Sequence, residues 1–107
     1  MDKAQDHINL GTAFSLSKRY EDAIVEFKRA LTLSPSDGEI LFQLGSLCTN
    51  VGNYGEAENY FRQALAANPM NLNAHCKLGL LLEVQGKYPD AVVEFQSGTY
   101  FMVDMGS

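Results

Sequence analysis

A chain of 107 residues, 46% hydrophobic and 20% charged, is long enough for one packed domain and too short for the frames that most large catalytic architectures need. Eight Lys and Arg against 13 Asp and Glu leave a net charge of -5, which repels phosphate backbones and anionic bilayers, so no nucleic acid and no membrane is expected as a partner. The opening residues Met1 to His7 hold no apolar signal stretch, and no apolar run approaches the roughly 18 residues that span a bilayer, so a cytoplasmic chain is expected.

Apolar periodicity and turn residues predict six helices. The first covers about 4–17. The second, 20–33, places Ala23, Phe27, Ala30 and Leu31 on one helical face and ends before Pro35, because proline disfavours helical backbone in the residue ahead of it. Ser36 and Glu39 have the spacing of a capping box in front of the third helix, 38–51, which Gly52-Asn53 closes. The fourth, 54–67, repeats the second with Ala57, Phe61, Ala64 and Leu65. Pro69 follows, then Asn71 as a cap one period after Asp37, then the fifth helix, 72–85. Gly86-Lys87 turns the chain into the sixth, 88–102, where Pro89 falls in a first turn that does not need its missing N–H.

The helices recur in pairs. Gly11, Gly45 and Gly79 stand 34 residues apart, and the same shift superposes Leu10, Leu44 and Leu78, then the tyrosines 20, 54 and 88, the alanines 23, 57 and 91, and the phenylalanines 27, 61 and 95. Small residues recur where two helices cross too closely for a larger side chain, and aromatic rings fill the wider space beside them. The runs His7-x-x-Leu10-Gly11-x-x-Phe14, Ala23-x-x-x-Phe27 and Pro35, with their shifted copies, resemble the tetratricopeptide repeat family, whose signature is W-x-x-L-G-x-x-Y, A-x-x-x-F and P. Departures are His7, Leu41 and His75 at the first aromatic position, Lys18 in place of a turn glycine, and Gly98 and Val103 in the third copy. The resemblance implies an all-α, right-handed superhelix of three helix-turn-helix units. Residues 1–3 form a tail, 4–37, 38–71 and 72–105 the repeats, and 106–107 a tail or cloning scar.

Catalysis, metals and cofactors find no foothold. His7 and His75 share a column that the family fills with a large packing side chain, so both are read as structural. Cys48 and Cys76 form no C-x-x-C; Cys48 shares a packing column with Phe14 and Leu82 and is expected to be a buried thiol. No P-loop, dinucleotide fingerprint, G-x-S-x-G or H-E-x-x-H occurs, so no enzyme activity is expected. Lys18 with Asp22, and Glu58 with Arg62, have helical pairing distance and read as a solvated face.

By resemblance, the first helix of each pair lines a concave wall on which peptides bind. Its projected residues are Gln5, Ile8, Asn9 and Thr12, then Glu39, Phe42, Gln43 and Ser46, then Asn73, Cys76, Lys77 and Leu80. Ile8, Phe42 and Cys76 form an apolar line; Asn9, Gln43 and Lys77 form a polar line able to serve a peptide backbone. The competing reading is that Ile8 and Phe42 only extend the core. A branch of the family clamps chaperone C-termini with several cations; the corresponding positions here are Ile8, Thr12, Gln43, Asn73 and Lys77, so that clamp is not expected. The expected function is a non-catalytic protein-interaction scaffold binding a peptide with apolar anchors and little net charge. The alternative is a targeting or substrate-recruiting segment of a larger enzyme such as a glycosyltransferase. Val92, Tyr100, Phe101, Met102 and Val103 leave the last helix apolar where a solvating cap would be polar, so this edge is expected to self-associate into a homo-oligomer.

Overall fold

The computed structural model describes residues 3–106, with side chains described through residue 98. Its helices are α1 (Lys3–Leu16), α2 (Tyr20–Leu33), α3 (Gly38–Asn50), α4 (Tyr54–Ala67), α5 (Leu72–Val84) and α6 (Tyr88–Gly106). Among the described residues there is no strand. Five of these helices begin and end within a residue of expectation; α6 runs further, because no proline or glycine interrupts 99–105, and it takes in Gly106, assigned above to a tail. Lys3, likewise assigned to a tail, opens α1.

The turn inside each pair is one motif used three times. Lys18, Gly52 and Gly86 hold positive φ of 62°, 85° and 77°. The next N–H then reaches back around the helix end: Arg19 donates to the Phe14 carbonyl at 2.9 Å, Asn53 to Cys48 at 2.8 Å and Lys87 to Leu82 at 2.8 Å. Lysine at the first of these carries a Cβ into left-handed backbone, which costs on the order of 1 kcal/mol and leaves the turn itself unchanged.

The turn between pairs is capped by Asp37 and Asn71. Asp37 Oδ1 accepts from the N–H groups of Glu39 (3.0 Å) and Ile40 (3.2 Å), and Asn71 Oδ1 accepts from Ala74 N–H at 3.0 Å. The Ser36–Glu39 capping box expected from spacing does not form. Asp37 holds the cap position, its own N–H donates to the Ser34 carbonyl, and Glu39 accepts from Gln43 Nε2 at 2.8 Å.

Within each pair the helices cross at glycine. A Cβ placed on Gly11 would lie 2.8 Å from Phe27 Cδ2, on Gly45 2.7 Å from Phe61 Cδ1, and on Gly79 2.6 Å from Phe95 Cε1. The phenylalanine ring occupies the volume that a methyl group would need. Between pairs, α2 packs on α3 and α4 on α5. One cluster gathers Ala23, Phe27, Ala30, Ile40, Leu44 and Leu47. The next gathers Cys48, Ala57, Phe61, Leu78, Leu81, Leu82 and Ala91, and Ile24 and Tyr60 touch both. The core is therefore continuous along a stack measuring 42 × 30 × 20 Å, and α1, α3 and α5 stand side by side.

Candidate functional site

Both histidines meet a carboxylate from the second helix of their own pair. His7 Nδ1 lies 2.7 Å from Glu26 Oε1, and His75 Nδ1 lies 3.0 Å from Glu94 Oε1. His75 Nε2 also donates to the Pro69 carbonyl at 2.8 Å, tying the ring to the preceding loop. Glu26 is buried and accepts a second time, from Arg29 Nη1 at 2.8 Å. Such pairs hold two crossing helices in register. Among the described residues no group of three or more His, Cys, Asp or Glu side chains is placed to hold a metal ion.

Cys48 is buried, as expected, and burial together with the nearby Glu56 charge pushes its thiol above the ordinary range, which makes it a poor nucleophile. Cys76 is a free, exposed thiol on α5. Of the two ion pairs expected from helical spacing, Glu58–Arg62 forms at 3.1 Å. Asp22 pairs instead with Arg19 at 2.7 Å, because Lys18 stands in the turn.

None of the residues projected onto the first helices is buried. Several of them line two grooves between neighbouring helices. The α1–α3 groove, about 470 Å³, includes Gln5, Ile8, Thr12, Glu39 and Gln43. The α3–α5 groove, about 200 Å³, includes Ser46, Lys77 and Leu80. Asn9, Phe42, Asn73 and Cys76 are on the same helices but line neither groove. Phe42 is half-buried, edge-on to Phe61 with ring centroids 5.8 Å apart, so part of its surface serves the core.

Ser15 and Leu16 in the first groove and Thr49, Asn50 and Val84 in the second are lining residues not singled out above. Leu16, Asn50 and Val84 share one column of the 34-residue repeat, a signal present in the sequence. Leu16 is 81% and Val84 64% exposed, so both present apolar surface to whatever enters. The Ser46 hydroxyl is buried at the α3–α5 groove without a hydrogen-bond partner.

Tetratricopeptide repeat models match residues 7–37 and residues 50–100. The chain belongs to the tetratricopeptide repeat family. The "BBSome complex member BBS4" of Bos taurus is 29% identical over 109 residues, 89% of this chain and 21% of that protein. The "Protein O-mannosyl-transferase tmtc2" of Xenopus laevis is 28% identical over 74% of this chain and 10% of that protein. The chain thus spans about a fifth or less of these relatives.

Solved tetratricopeptide structures share the fold. "Crystal structure of MamA" aligns with TM-score 0.93 and 21% identity over 96% of this chain and 60% of that one. "Second TPR of Spaghetti (RPAP3) bound to HSP90 peptide SRMEEVD" aligns with TM-score 0.86 and 20% identity over 92% of this chain and 91% of that one. Among the described residues six helices in three pairs build an all-α, right-handed solenoid.

Proposed function

We propose that this tetratricopeptide chain is a non-catalytic scaffold whose α1–α3–α5 face binds an extended or helical peptide segment of a partner protein. The observation that carries the reading is the pair of neighbouring grooves with exposed apolar walls on that face. Gln5, Ile8, Thr12, Glu39 and Gln43 hold one end of the segment, and Ser46, Lys77 and Leu80 the other. The amides of Asn9 and Asn73 and the flanking Phe42 and Cys76 extend the contact. The second RPAP3 repeat domain supports the reading because it is bound to an HSP90 peptide on this fold. The partner here is of a different kind. At the positions of the chaperone clamp this chain carries Ile8, Thr12, Gln43, Asn73 and only one cation, Lys77.

The test is direct. Peptides selected from a random phage library on the wild-type chain are measured by calorimetry against Leu16→Ser and Leu80→Ser, and against Phe42→Ala and Asn9→Ala. The two exposed leucines can lose apolar area without opening the core, so affinity should fall about tenfold in at least one of them while helical circular dichroism holds. Unchanged affinity in all four variants moves the site elsewhere.

A second reading, a recruiting segment of a larger enzyme, is supported by the O-mannosyl-transferase relative and by the small share of each relative that the chain spans. Intact mass of the protein from its native source distinguishes the two. The setting in this reading is cytoplasmic, and the free thiols of Cys48 and Cys76 suit a reducing compartment.

A further inference from the structure

The two grooves carry opposite charge. Asp37 and Glu39 stand at the α1–α3 groove, and none of the residues that line it is cationic. Lys77 stands at the α3–α5 groove, and none of its lining residues is acidic. We propose that, within the peptide reading above on which this rests, the α1–α3 groove selects a Lys or Arg side chain neighbouring an apolar one. The apolar neighbour lies on Ile8, Leu16, Phe27 and Ile40, of which Leu16 is 81% exposed. The cation lies at the acidic rim.

Hydrogen bonding at the rim points the same way. Thr12 Oγ1 already donates to the Ile8 carbonyl at 2.8 Å, Gln5 Nε2 to Asn9 at 2.9 Å and Gln43 Nε2 to Glu39 at 2.8 Å. Asp37 is exposed and meets the α3 N–H groups through Oδ1, so its second carboxylate oxygen adds acceptor capacity at the rim. A wall bearing two carboxylates and no cation, with part of its donor capacity already spent within the wall, suits a side chain that only donates, and Lys and Arg are the side chains that do so. An acidic residue of the same segment is repelled here and received one groove further on, beside Lys77, so a bound segment keeps little net charge while its charge order fixes its direction.

The experiment uses the full chain, labelled with 15N, and two pools of N-acetylated octapeptide amides on an alanine-serine background. Each peptide of one pool carries one Leu and one Arg at varied spacing; the other pool has Glu in place of Arg. The Arg pool should shift the amides of Ile8, Thr12, Leu16, Glu39 and Ile40 and bind there at least about fivefold more tightly than the Glu pool. Glu39→Gln, and Asp37→Asn with Glu39→Gln, should reduce that preference to within about twofold; Asn is as good a helix cap as Asp, so α3 stays formed. Equal binding of both pools in this groove overturns the charge selection and leaves the peptide face standing. An Arg preference that survives the double substitution, or that maps outside the groove, follows the chain's net charge and also overturns it. Shifts from neither pool at either groove overturn this proposal and the peptide-binding reading together.

Discussion

The pairing of His75 with Glu94 and of His7 with Glu26 follows a rule visible along the repeat. The same two columns hold Leu41 and Tyr60 in the middle unit, where Leu41 is buried and Tyr60 half-buried. The imidazole and the carboxylate need each other; removing one leaves a polar group without its match. His75→Leu alone should therefore cost about 1–3 kcal/mol by leaving Glu94 with only Arg62, 4.0 Å away. The double change His75→Leu with Glu94→Tyr should recover at least about 1 kcal/mol of the summed loss in urea denaturation. Additive losses would show that the two columns do not act as a pair. Glu58 offers a pH test. Burial raises its carboxyl, but hydrogen bonds from Lys87, Arg62 and Gln85 outweigh that and hold it below the ordinary glutamate value. A carboxylate depressed in the folded state lends stability that is complete above its unfolded value and is lost as pH falls through its folded one. Glu58→Gln should flatten the acid limb of stability against pH, and an unaltered slope would assign that limb to other groups.

At the scale of the helix, the three turns invite a comparison of one lysine with two glycines. Lys18→Gly removes the cost of a Cβ in left-handed backbone and should raise stability by up to about 1 kcal/mol, less the extra freedom glycine has when unfolded. Gly52→Lys should cost a similar amount with no clash, since a Cβ there meets nothing within 4 Å. Gly45 is constrained for a different reason: its backbone is ordinary helix, and the Phe61 ring forbids the side chain. Gly45→Leu should cost about 3 kcal/mol or more, and Phe61→Ala in the same chain should restore part of it by vacating the space. If Phe61→Ala makes matters worse by its full separate cost, ring and glycine are not in conflict.

For the whole molecule the question is what covers the C-terminal edge. Val92 shares its column with Ile24, which packs between two units, and with Glu58, which hydrogen-bonds Gln85 and Lys87 of the unit that follows it. On α6 the corresponding surface is open, with Tyr88 63%, Val92 51% and Val93 54% exposed. The side chains of Tyr100, Phe101, Met102 and Val103, also assigned to this edge, lie outside the described residues. Self-association through the edge is our proposal, supported by an apolar surface at the place where each earlier unit is covered. Light scattering at about 100 μM should give more than the monomer mass, and Val92→Glu should return it to the monomer. A wild-type monomer at that concentration removes the idea.

The helices, their ends apart from that of α6, and the repeat were legible in the residues themselves because each is set by short-range spacing. Proline ends a helix, glycine or a tolerated lysine turns it, and apolar spacing marks the face to be buried. The glycine and phenylalanine columns even announced the crossings, since only close approach keeps a glycine inside a helix. The cap was also misread: Ser36 and Asp37 both had suitable side chains, and the path of the loop after Pro35 decided between them. Tertiary structure alone brought Glu26 to His7 and Glu94 to His75, because residues 19 apart meet only after two helices fold back on one another. It alone formed the grooves as well. Their walls come from different repeats, so their width, their exposed Leu16 and Val84 and their opposite charges depend on how far neighbouring pairs rotate as they stack, which no single stretch of chain encodes.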